Sequence, residues 1–397
     1  MTGLGTMFKE LNWRAASMGL LAAFVGYSAS FAIVLSGLNA MGATAEQAAT
    51  GLFFATLGMG LCSIWLPALT RIPAAVAWST PGAAFLASSA VLPGGFAEAV
   101  GAMLICGGLI VLTGIVPALG KIVAAIPKPV ANGLLAGVLL KLCFAPALAL
   151  GSIPILVLPV IGFWVIGLVW NKLAAMPLAV VGFVGVLLLG VDYPPEMAMS
   201  LGNSALPEFV IITPTFSFQA VISVAVPLYL VTMAGQNIPG FAVLELNNYR
   251  VDRPSMLRNT GFASVLIAPF GAVPLNMSAI TAAMMCGEDA GEEPEKRYWA
   301  AIISGIAYTV LAFAAGLVVA VASNAPNALI TAVAGLALIP ALVASLSAAF
   351  SQADQLEAPA LTFLLGASGM TLLGISGAFW GLVAGAIIWF LKSLRQD

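Results

Sequence analysis

The sequence contains no histidine and very little charge. Its 397 residues include 14 Lys and Arg and 16 Asp and Glu, only 8% of the chain. A soluble domain carries about 25% charged residues, so these charges cannot cover a water-exposed surface of this size. The absence of histidine also removes the commonest metal ligand and the side chain that titrates near neutral pH.

Reactive motifs are scarce as well. The four cysteines, Cys62, Cys106, Cys143 and Cys286, stand singly without a CxxC pair, so no metal site is predicted. No Gly-rich phosphate loop is present, so we expect no cofactor and no use of ATP. The net charge of -2 says nothing about acidic or basic partners, and we expect no nucleic acid partner. A membrane-embedded enzyme would need an activated nucleophile or metal ligands, and no such cluster is found.

What the chain has instead is apolar sequence, with 61% hydrophobic residues in recurrent long runs. About 20 apolar residues span a bilayer as a helix. We therefore predict an all-α polytopic membrane protein embedded in lipid. The run from Ala15 to Leu38 exceeds a signal-peptide core and is interpreted as a retained first segment. Fourteen transmembrane segments are predicted, at 15–38, 50–69, 73–91, 97–117, 121–148, 153–170, 176–191, 219–246, 255–269, 271–286, 298–322, 327–349, 358–368 and 371–392.

The distribution of charge supports this count. If the N-terminus is cytoplasmic, every Lys and Arg except Lys141 falls on the cytoplasmic side, as the positive-inside rule requires. We therefore expect both termini in the cytoplasm. The predicted outer loops carry acidic residues, namely Glu46, Glu98, Asp192, Glu196 and Glu208.

The chain also divides into two similar halves. Residues 1–191 hold segments one to seven, residues 192–218 form a polar, proline-rich outer loop, and residues 219–397 hold segments eight to fourteen. Pro81 and Ser278 lie at matching positions, 278 − 81 = 197 residues apart, and Pro127 and Pro326 are 326 − 127 = 199 residues apart. Because seven is odd, the second half enters from the opposite side. Such inverted repeats are typical of secondary transporters.

Segments three and ten are interrupted by proline and glycine. Non-helical backbone inside a membrane must be enclosed by protein or line a cavity. We predict a half-helix beginning near 80–82 in segment three and another near 276–278 in segment ten. Their N-termini carry unpaired N–H groups and partial positive charge, which suits an anion. The candidate binding residues at these breaks are Ser79, Thr80, Gly82, Asn276, Met277 and Ser278.

Two further groups of polar residues lie in apolar segments. Gln236 and Asn237 stand in Gly235-Gln-Asn-Ile-Pro-Gly240, which is interpreted as a third helix break and a substrate-binding stretch. Tyr27, Ser28 and Ser30 share a face of segment one, where binding by Tyr27 and simple packing are both open. The apolar walls of the site are assigned to Phe31, Phe85 and Phe241.

These stretches resemble a known family. Ser79-Thr-Pro-Gly82, Gly235-Gln-Asn-Ile-Pro-Gly-Phe241 and Phe270-Gly-Ala-Val-Pro-Leu-Asn276 are similar to signature stretches of the bacterial benzoate transporter (benzoate–proton symporter) family. That family is similar in turn to the group with the uracil-permease fold. The resemblance implies core and gate domains, with short strands in segments three and ten. It also implies a bacterial inner membrane protein that takes up benzoate or a related aromatic carboxylate with a proton.

One departure leaves the coupling open. Nucleobase symporters of this fold carry acids in segments eight and ten, whereas Gln236 stands in segment eight here and segment ten has no acid. Glu245 and Glu288 are expected to be interfacial charges. In one hypothesis the substrate carboxylate itself takes up the proton, and in a second the coupling is weak or absent. A nucleobase or inorganic anion as substrate, a passive channel and a homodimer through gate helices also stay open.

Overall fold

The computed structural model describes residues 10–190, 208–352, 355–372 and 375–394. Helices dominate, because long apolar runs in lipid must satisfy their backbone groups internally. The first half holds α1 and α2 in segment one, α3, the strand β1 with helix α4, and then α5 to α10. The bounds are α1 Trp13–Ser28, α2 Phe31–Ala40, α3 Ala45–Thr70, β1 Val76–Trp78, α4 Thr80–Ser88, α5 Gly95–Ile115, α6 Pro117–Ala124, α7 Lys128–Cys143, α8 Ala145–Ser152, α9 Pro154–Trp170 and α10 Ala175–Gly190.

The second half repeats this order. It holds the long helix α11, then α12, the strand β2 with helix α13, and helices α14 to α17, followed by the short strands β3 and β4 and the helix α18. The bounds are α11 Phe218–Leu246, α12 Arg253–Ile267, β2 Leu275–Met277, α13 Ala279–Cys286, α14 Tyr298–Ala312, α15 Ala315–Asn324, α16 Asn327–Ala349, α17 Glu357–Ser368, β3 Thr371–Leu372, β4 Ile375–Ser376 and α18 Gly377–Ser393.

The helical segments follow the predicted order closely, and the prediction of an all-α polytopic membrane protein is confirmed. Seven helices in the described residues are long and apolar enough to cross a membrane singly, or eight if α14 and α15, bent by 57°, form one span. The other predicted segments are shorter or interrupted helices, so the count of fourteen crossings stays a prediction. Part of the predicted loop 192–218 lies outside the described residues.

The helices pack in two groups. Helices α1 to α5 pack with α11 to α15, and we call this group the core domain. Helices α7 to α10 pack with α16 to α18, and we call this group the gate domain. The two groups meet where α4 lies against α7 and α2 lies against α16. Each half of the sequence therefore contributes helices to both domains, as the resemblance implies.

Three details of the segments differ from the prediction. Segment one is interrupted at Ala29–Ser30, between α1 and α2. The predicted segment 121–148 is divided, because Pro127 separates α6 from α7. Glu98 was expected in an exposed loop, but it lies buried in the first turn of α5. There its carboxylate accepts hydrogen bonds from Gly94 N–H and the Ser217 hydroxyl, which satisfies it within the protein.

The predicted break in segment eight is wrong. Helix α11 continues through Gly235–Gly240 and widens into a π-helical turn over Met233–Asn237, where Ile238 N–H reaches the Met233 carbonyl. Pro239 follows directly and has no N–H to offer the preceding turn. A π-helical turn accommodates this loss without ending the helix.

Candidate functional site

The two interrupted segments meet in the interior of the core domain. Strands β1 and β2 pair antiparallel, with Ala77 opposite Asn276, and this confirms the short strands that the resemblance implied. Flanking bonds from Ser79 N–H to the Pro274 carbonyl and from Ser278 N–H to the Ala75 carbonyl extend the pairing. Each strand leads directly into a short helix, so α4 and α13 begin beside each other and run in opposite directions.

Serine caps begin both of these half-helices. Ser79 Oγ accepts the Gly82 N–H at 3.0 Å, and Ser278 Oγ accepts the Thr281 N–H at 3.4 Å. The first N–H groups of a helix have no acceptor within the helix. After capping, the N–H groups of Thr80, Ala279 and Ile280 remain at the starts of the two half-helices. Together with the helix dipoles, they provide positive potential without a charged side chain.

Asn276 connects the two segments through its side chain. In the amide orientation that the hydrogen-bond network requires, its oxygen accepts from Ser79 N–H at 3.0 Å and its nitrogen donates to the Met277 carbonyl at 2.8 Å. Asn276 and Ser79 are both fully buried. The Ser79 hydroxyl also lies 2.7 Å from the Thr232 hydroxyl of α11. These side chains fix the position of the junction.

Asn237 holds the outer edge of β2. Its amide oxygen accepts from Met277 N–H at 2.9 Å, and its amide nitrogen lies 3.3 Å from the Met233 sulfur. The π-helical turn therefore brings a buried amide to the strand edge. The Met277 side chain packs against Gly240 of α11, where an added Cβ would lie 2.9 Å from Met277 Cβ.

The strand edges have two further partners that the sequence analysis missed. Ser63 Oγ of α3 accepts the Val76 N–H at 3.0 Å and donates to the Val76 carbonyl at 3.1 Å. Ser264 Oγ of α12 accepts the Leu275 N–H at 2.8 Å and approaches the Leu275 carbonyl at 3.4 Å. Backbone groups that a two-stranded sheet leaves unpaired are thus satisfied inside the protein, as a membrane interior demands. A serine in an apolar helix gives no local sign of this role.

The far end of α13 is also fixed. The buried Arg297 side chain donates to the carbonyls of Cys286 at 2.6 Å and Gly291 at 2.7 Å. A cation at a helix C-terminus complements the helix dipole and binds its unpaired carbonyls. Arg297 therefore caps the C-terminus of α13 from a buried position.

Three of the predicted site residues retain hydrogen-bonding capacity toward a ligand. Thr80 and Gln236 are half-buried, and their side chains form no hydrogen bond within the described residues. The Tyr27 hydroxyl is buried without a partner there. Gly82 is enclosed, since an added Cβ would lie 2.7 Å from the Leu228 side chain. The remaining candidates already bond to other parts of the junction, and they are Ser79, Asn237, Asn276, Met277 and Ser278.

The three phenylalanines predicted to form the apolar walls of the site lie apart from one another in the structure. Phe31 stacks on Tyr27 with ring centroids 5.9 Å apart, beside the junction. Phe85 lines a cleft between α4 and the gate domain. Phe241 lies under the Arg253 guanidinium, 5.8 Å from its carbon to the ring centroid. Arg253 pairs with Glu245 in the same region, and Glu288 is exposed, so neither acid is at the junction.

Two clefts run along the seam between core and gate. The first lies beside the π-helical turn and is lined by Ile126, Ala131, Asn132, Leu134, Leu135, Leu230, Val231, Ala234, Gly235 and Leu382. The second lies beyond α4 and is lined by Phe85, Ser88, Ser89, Ala90, Val138, Gly366, Gly369, Met370, Thr371, Ser376, Gly377 and Ala378. Leu135 lines the first cleft, and Val138, one helical turn further along α7, lines the second.

Known structures share this fold. The transmembrane domain of a cyanobacterial bicarbonate transporter, BicA, matches with a TM-score of 0.61 and 16% identity, over 94% of this chain and 98% of that one. SLC26A9 matches with a TM-score of 0.62 and 14% identity, over 96% of this chain and 65% of that one. At this level of identity the likeness shows the fold alone.

Two curated proteins share a higher sequence identity with this chain than these solved structures do. The chain is 33% identical over 381 residues to "Inner membrane protein YdcO" of Escherichia coli, covering 96% of each. It is 29% identical over 392 residues to "Benzoate membrane transport protein" of Acinetobacter baylyi, covering 98% of each. The family model described as "Benzoate membrane transport protein" matches residues 10–391. The chain therefore belongs to the benzoate membrane transport protein family, whose members are membrane transporters and not enzymes.

Proposed function

We propose that this protein imports benzoate or a related aromatic carboxylate, together with protons, across the bacterial inner membrane by alternating access. The observation that carries the proposal is the meeting of two half-helix N-termini in the core domain of a chain belonging to this family. Main-chain N–H groups and helix dipoles suit a carboxylate. The nearby aromatic side chains of Tyr27, Phe31 and Trp78 suit a benzene ring.

Side chains at the junction have two kinds of role in this proposal. Thr80 and Gln236 contact the substrate, because their side chains are half-buried and make no hydrogen bond within the described residues. Ser79, Asn237, Asn276 and Ser278 hold the half-helices in place through the bonds described above. Gly82 and Met277 shape the junction by close packing against α11.

The chemistry of the junction favours a carboxylate over a nucleobase. A nucleobase needs several directional hydrogen bonds, commonly including a carboxylate from the protein. Among the described residues, no acidic side chain lies at the junction, and the buried Glu98 is satisfied by Gly94 and Ser217 at the start of α5. Proton movement on the substrate carboxylate itself fits this arrangement, because no acidic side chain is needed.

Ligand-induced thermal stabilisation tests the substrate class. The purified protein is melted in detergent with benzoate, substituted benzoates, uracil, xanthine or sulfate. Selective stabilisation by benzoates supports the proposal, whereas stabilisation by uracil or sulfate alone would replace it with another substrate. Proton uptake is then followed in proteoliposomes, where benzoate entry without stoichiometric proton flux would remove the coupling.

A further inference from the structure

Among the tyrosines in the described part of the chain, Tyr27 is the one whose hydroxyl has no hydrogen-bond partner. The hydroxyls of Tyr229, Tyr249, Tyr298 and Tyr308 bond to Thr113, the Pro294 carbonyl, Glu10 and the Ala22 carbonyl, respectively. Tyr27 is only 8% exposed, and its hydroxyl has no partner within the described residues. Buried tyrosine hydroxyls normally have a hydrogen-bond partner, so an exception calls for an explanation.

The position of Tyr27 explains why its hydroxyl is unpaired. Its ring centroid lies 5.4 Å from that of Trp78, the last residue of β1 before the cap of α4. A Cβ built at the preceding residue, Gly26, would lie 2.4 Å from the Tyr308 hydroxyl of α14 and 3.2 Å from the Thr281 methyl, so Gly26 faces α14 and the first turn of the other half-helix. The last turn of α1 is therefore placed between the starts of α4 and α13.

Tyr27 lies among aromatic rings and beside polar groups that are already hydrogen-bonded. Phe31 lies nearly parallel to its ring, with an interplanar angle of 13°. The Trp78 indole N–H donates to Ser30 Oγ at 2.7 Å, and Ser30 Oγ in turn donates to the Gly26 carbonyl at 2.7 Å. These bonds satisfy the polar groups at the interruption between α1 and α2, and the Tyr27 hydroxyl is not part of them.

We infer that the Tyr27 hydroxyl donates a hydrogen bond to the carboxylate of the substrate, and that its ring, with Phe31 and Trp78, selects an aromatic body. A carboxylate accepts several hydrogen bonds, and the half-helix N–H groups provide only part of them. A neutral phenol adds a donor without the desolvation cost of a buried cation. This inference rests on the proposed function and deepens it, since it names the side chain that recognises the carboxylate.

A packing role for Tyr27 makes a different prediction. If the Tyr27 ring only packs beside the site, Tyr27→Phe keeps every ring contact and removes an unpaired oxygen. Ligand affinity is then unchanged. If the hydroxyl binds the carboxylate, the same variant keeps its stability without ligand but loses affinity. The two roles are therefore separated by measuring stability and affinity on one variant.

The experiment compares wild type, Tyr27→Phe and the control Tyr308→Phe, which loses a hydroxyl already bonded at 3.4 Å to the Ala22 carbonyl. Melting temperatures are measured without ligand, and the Kd values of benzoate and benzamide by titration calorimetry. We expect an unchanged or higher melting temperature for Tyr27→Phe and a benzoate Kd raised about 10- to 100-fold, as loss of a charge-assisted hydrogen bond implies. The preference for benzoate over benzamide should fall in Tyr27→Phe and persist in Tyr308→Phe.

The outcomes are distinguishable. Benzoate binding that is equal in wild type and Tyr27→Phe overturns the inference and leaves the proposed function standing. Absence of benzoate binding in the folded wild type overturns both. If Tyr27→Phe is too unstable to purify, the residue is essential to the core domain itself, and that outcome also overturns the inference.

Discussion

Ser63 and Ser264 each accept a backbone N–H of one paired strand, each from the helix that precedes its strand. Ser63 binds both backbone groups of Val76, and Ser264 lies against both backbone groups of Leu275. The serines are 264 − 63 = 201 residues apart, and the residues they hold are 275 − 76 = 199 residues apart. These spacings match those of the sequence repeat and support the proposed inverted halves 1–191 and 219–397.

Ser63→Ala and Ser264→Ala should each destabilise the protein by about 1–3 kcal/mol, because each leaves a buried backbone group of a strand without its partner. Melting in detergent measures the loss. Ser152→Ala is a matched control, since its hydroxyl donates only to carbonyls of its own helical region, those of Leu148 and Ala149. Equal effects at all three positions would show that the strands do not depend on these serines.

Gln236→Leu and Asn276→Leu should separate binding from structure. Asn276→Leu removes an amide that joins Ser79 to the Met277 carbonyl, so we expect lower stability, by about 1 kcal/mol, as well as loss of uptake. Gln236→Leu removes a half-buried amide that forms no hydrogen bond within the described residues, so stability should persist while uptake falls. Benzoate uptake and melting temperature are measured on both variants. Normal uptake by Gln236→Leu would remove this residue from the substrate site.

Much of this junction could be predicted from sequence, because proline and glycine mark interruptions in apolar segments. Segments three and ten were identified in this way. Ser79 and Ser278 were predicted there as binding residues, and their capping role is seen only in the structure. The continuity of α11 could not be predicted, because Gly235, Pro239 and Gly240 suit either a break or a π-helical turn. Only packing against β2, through the bond from Met277 N–H to Asn237, distinguishes the two. The same limit applies to Glu98, whose burial depends on the distant Ser217.

The gate domain should be sensitive to small substitutions at Gly137. This glycine lies against α17, where an added Cβ would be 2.5 Å from the Phe363 carbonyl oxygen. Close approach of helix backbones through small residues is a common packing mode in membranes. Gly137→Ala should cost about 1–3 kcal/mol of stability through overpacking. Gly108→Ala is the matched control, because an added Cβ there meets nothing within 4 Å. A control variant as unstable as Gly137→Ala would contradict the assigned packing.

Acid should weaken the attachment of Glu10 to the core domain. The Tyr298 hydroxyl donates to this carboxylate at 2.6 Å and Arg71 at 2.8 Å. The hydrogen bond from Tyr298, followed by that from Arg71, lowers the pKa of Glu10 below its ordinary value of 4.5. A lowered pKa in the folded state means that the stabilisation is complete above the ordinary value and is lost as the pH falls through the folded value.

The melting temperature of wild type should therefore decline as the pH is lowered below about 4.5. Tyr298→Phe removes the largest cause of the shift, so its decline over the same range should be shallower. Arg14→Gln disrupts a pair whose side chains are largely exposed, with Glu292 as the partner, and is a suitable control. Identical pH profiles for wild type and Tyr298→Phe would show that this carboxylate makes no difference to folding.

Alternating access predicts that the two clefts open to opposite sides of the membrane. Asn132 lines the first cleft, next to the stretch that begins with Lys128, and Ser89 lines the second, beyond the end of α4. Given the predicted cytoplasmic N-terminus, Asn132→Cys should react with an impermeant maleimide from the cytoplasmic side and Ser89→Cys from the outer side. Both are made in a background in which Cys62, Cys106, Cys143 and Cys286 are replaced. Benzoate should alter the two labelling rates in opposite directions, because alternating access exposes the site to one side of the membrane at a time. Labelling of both positions from the same side would contradict the predicted topology, and rates that rise together would indicate a passive channel.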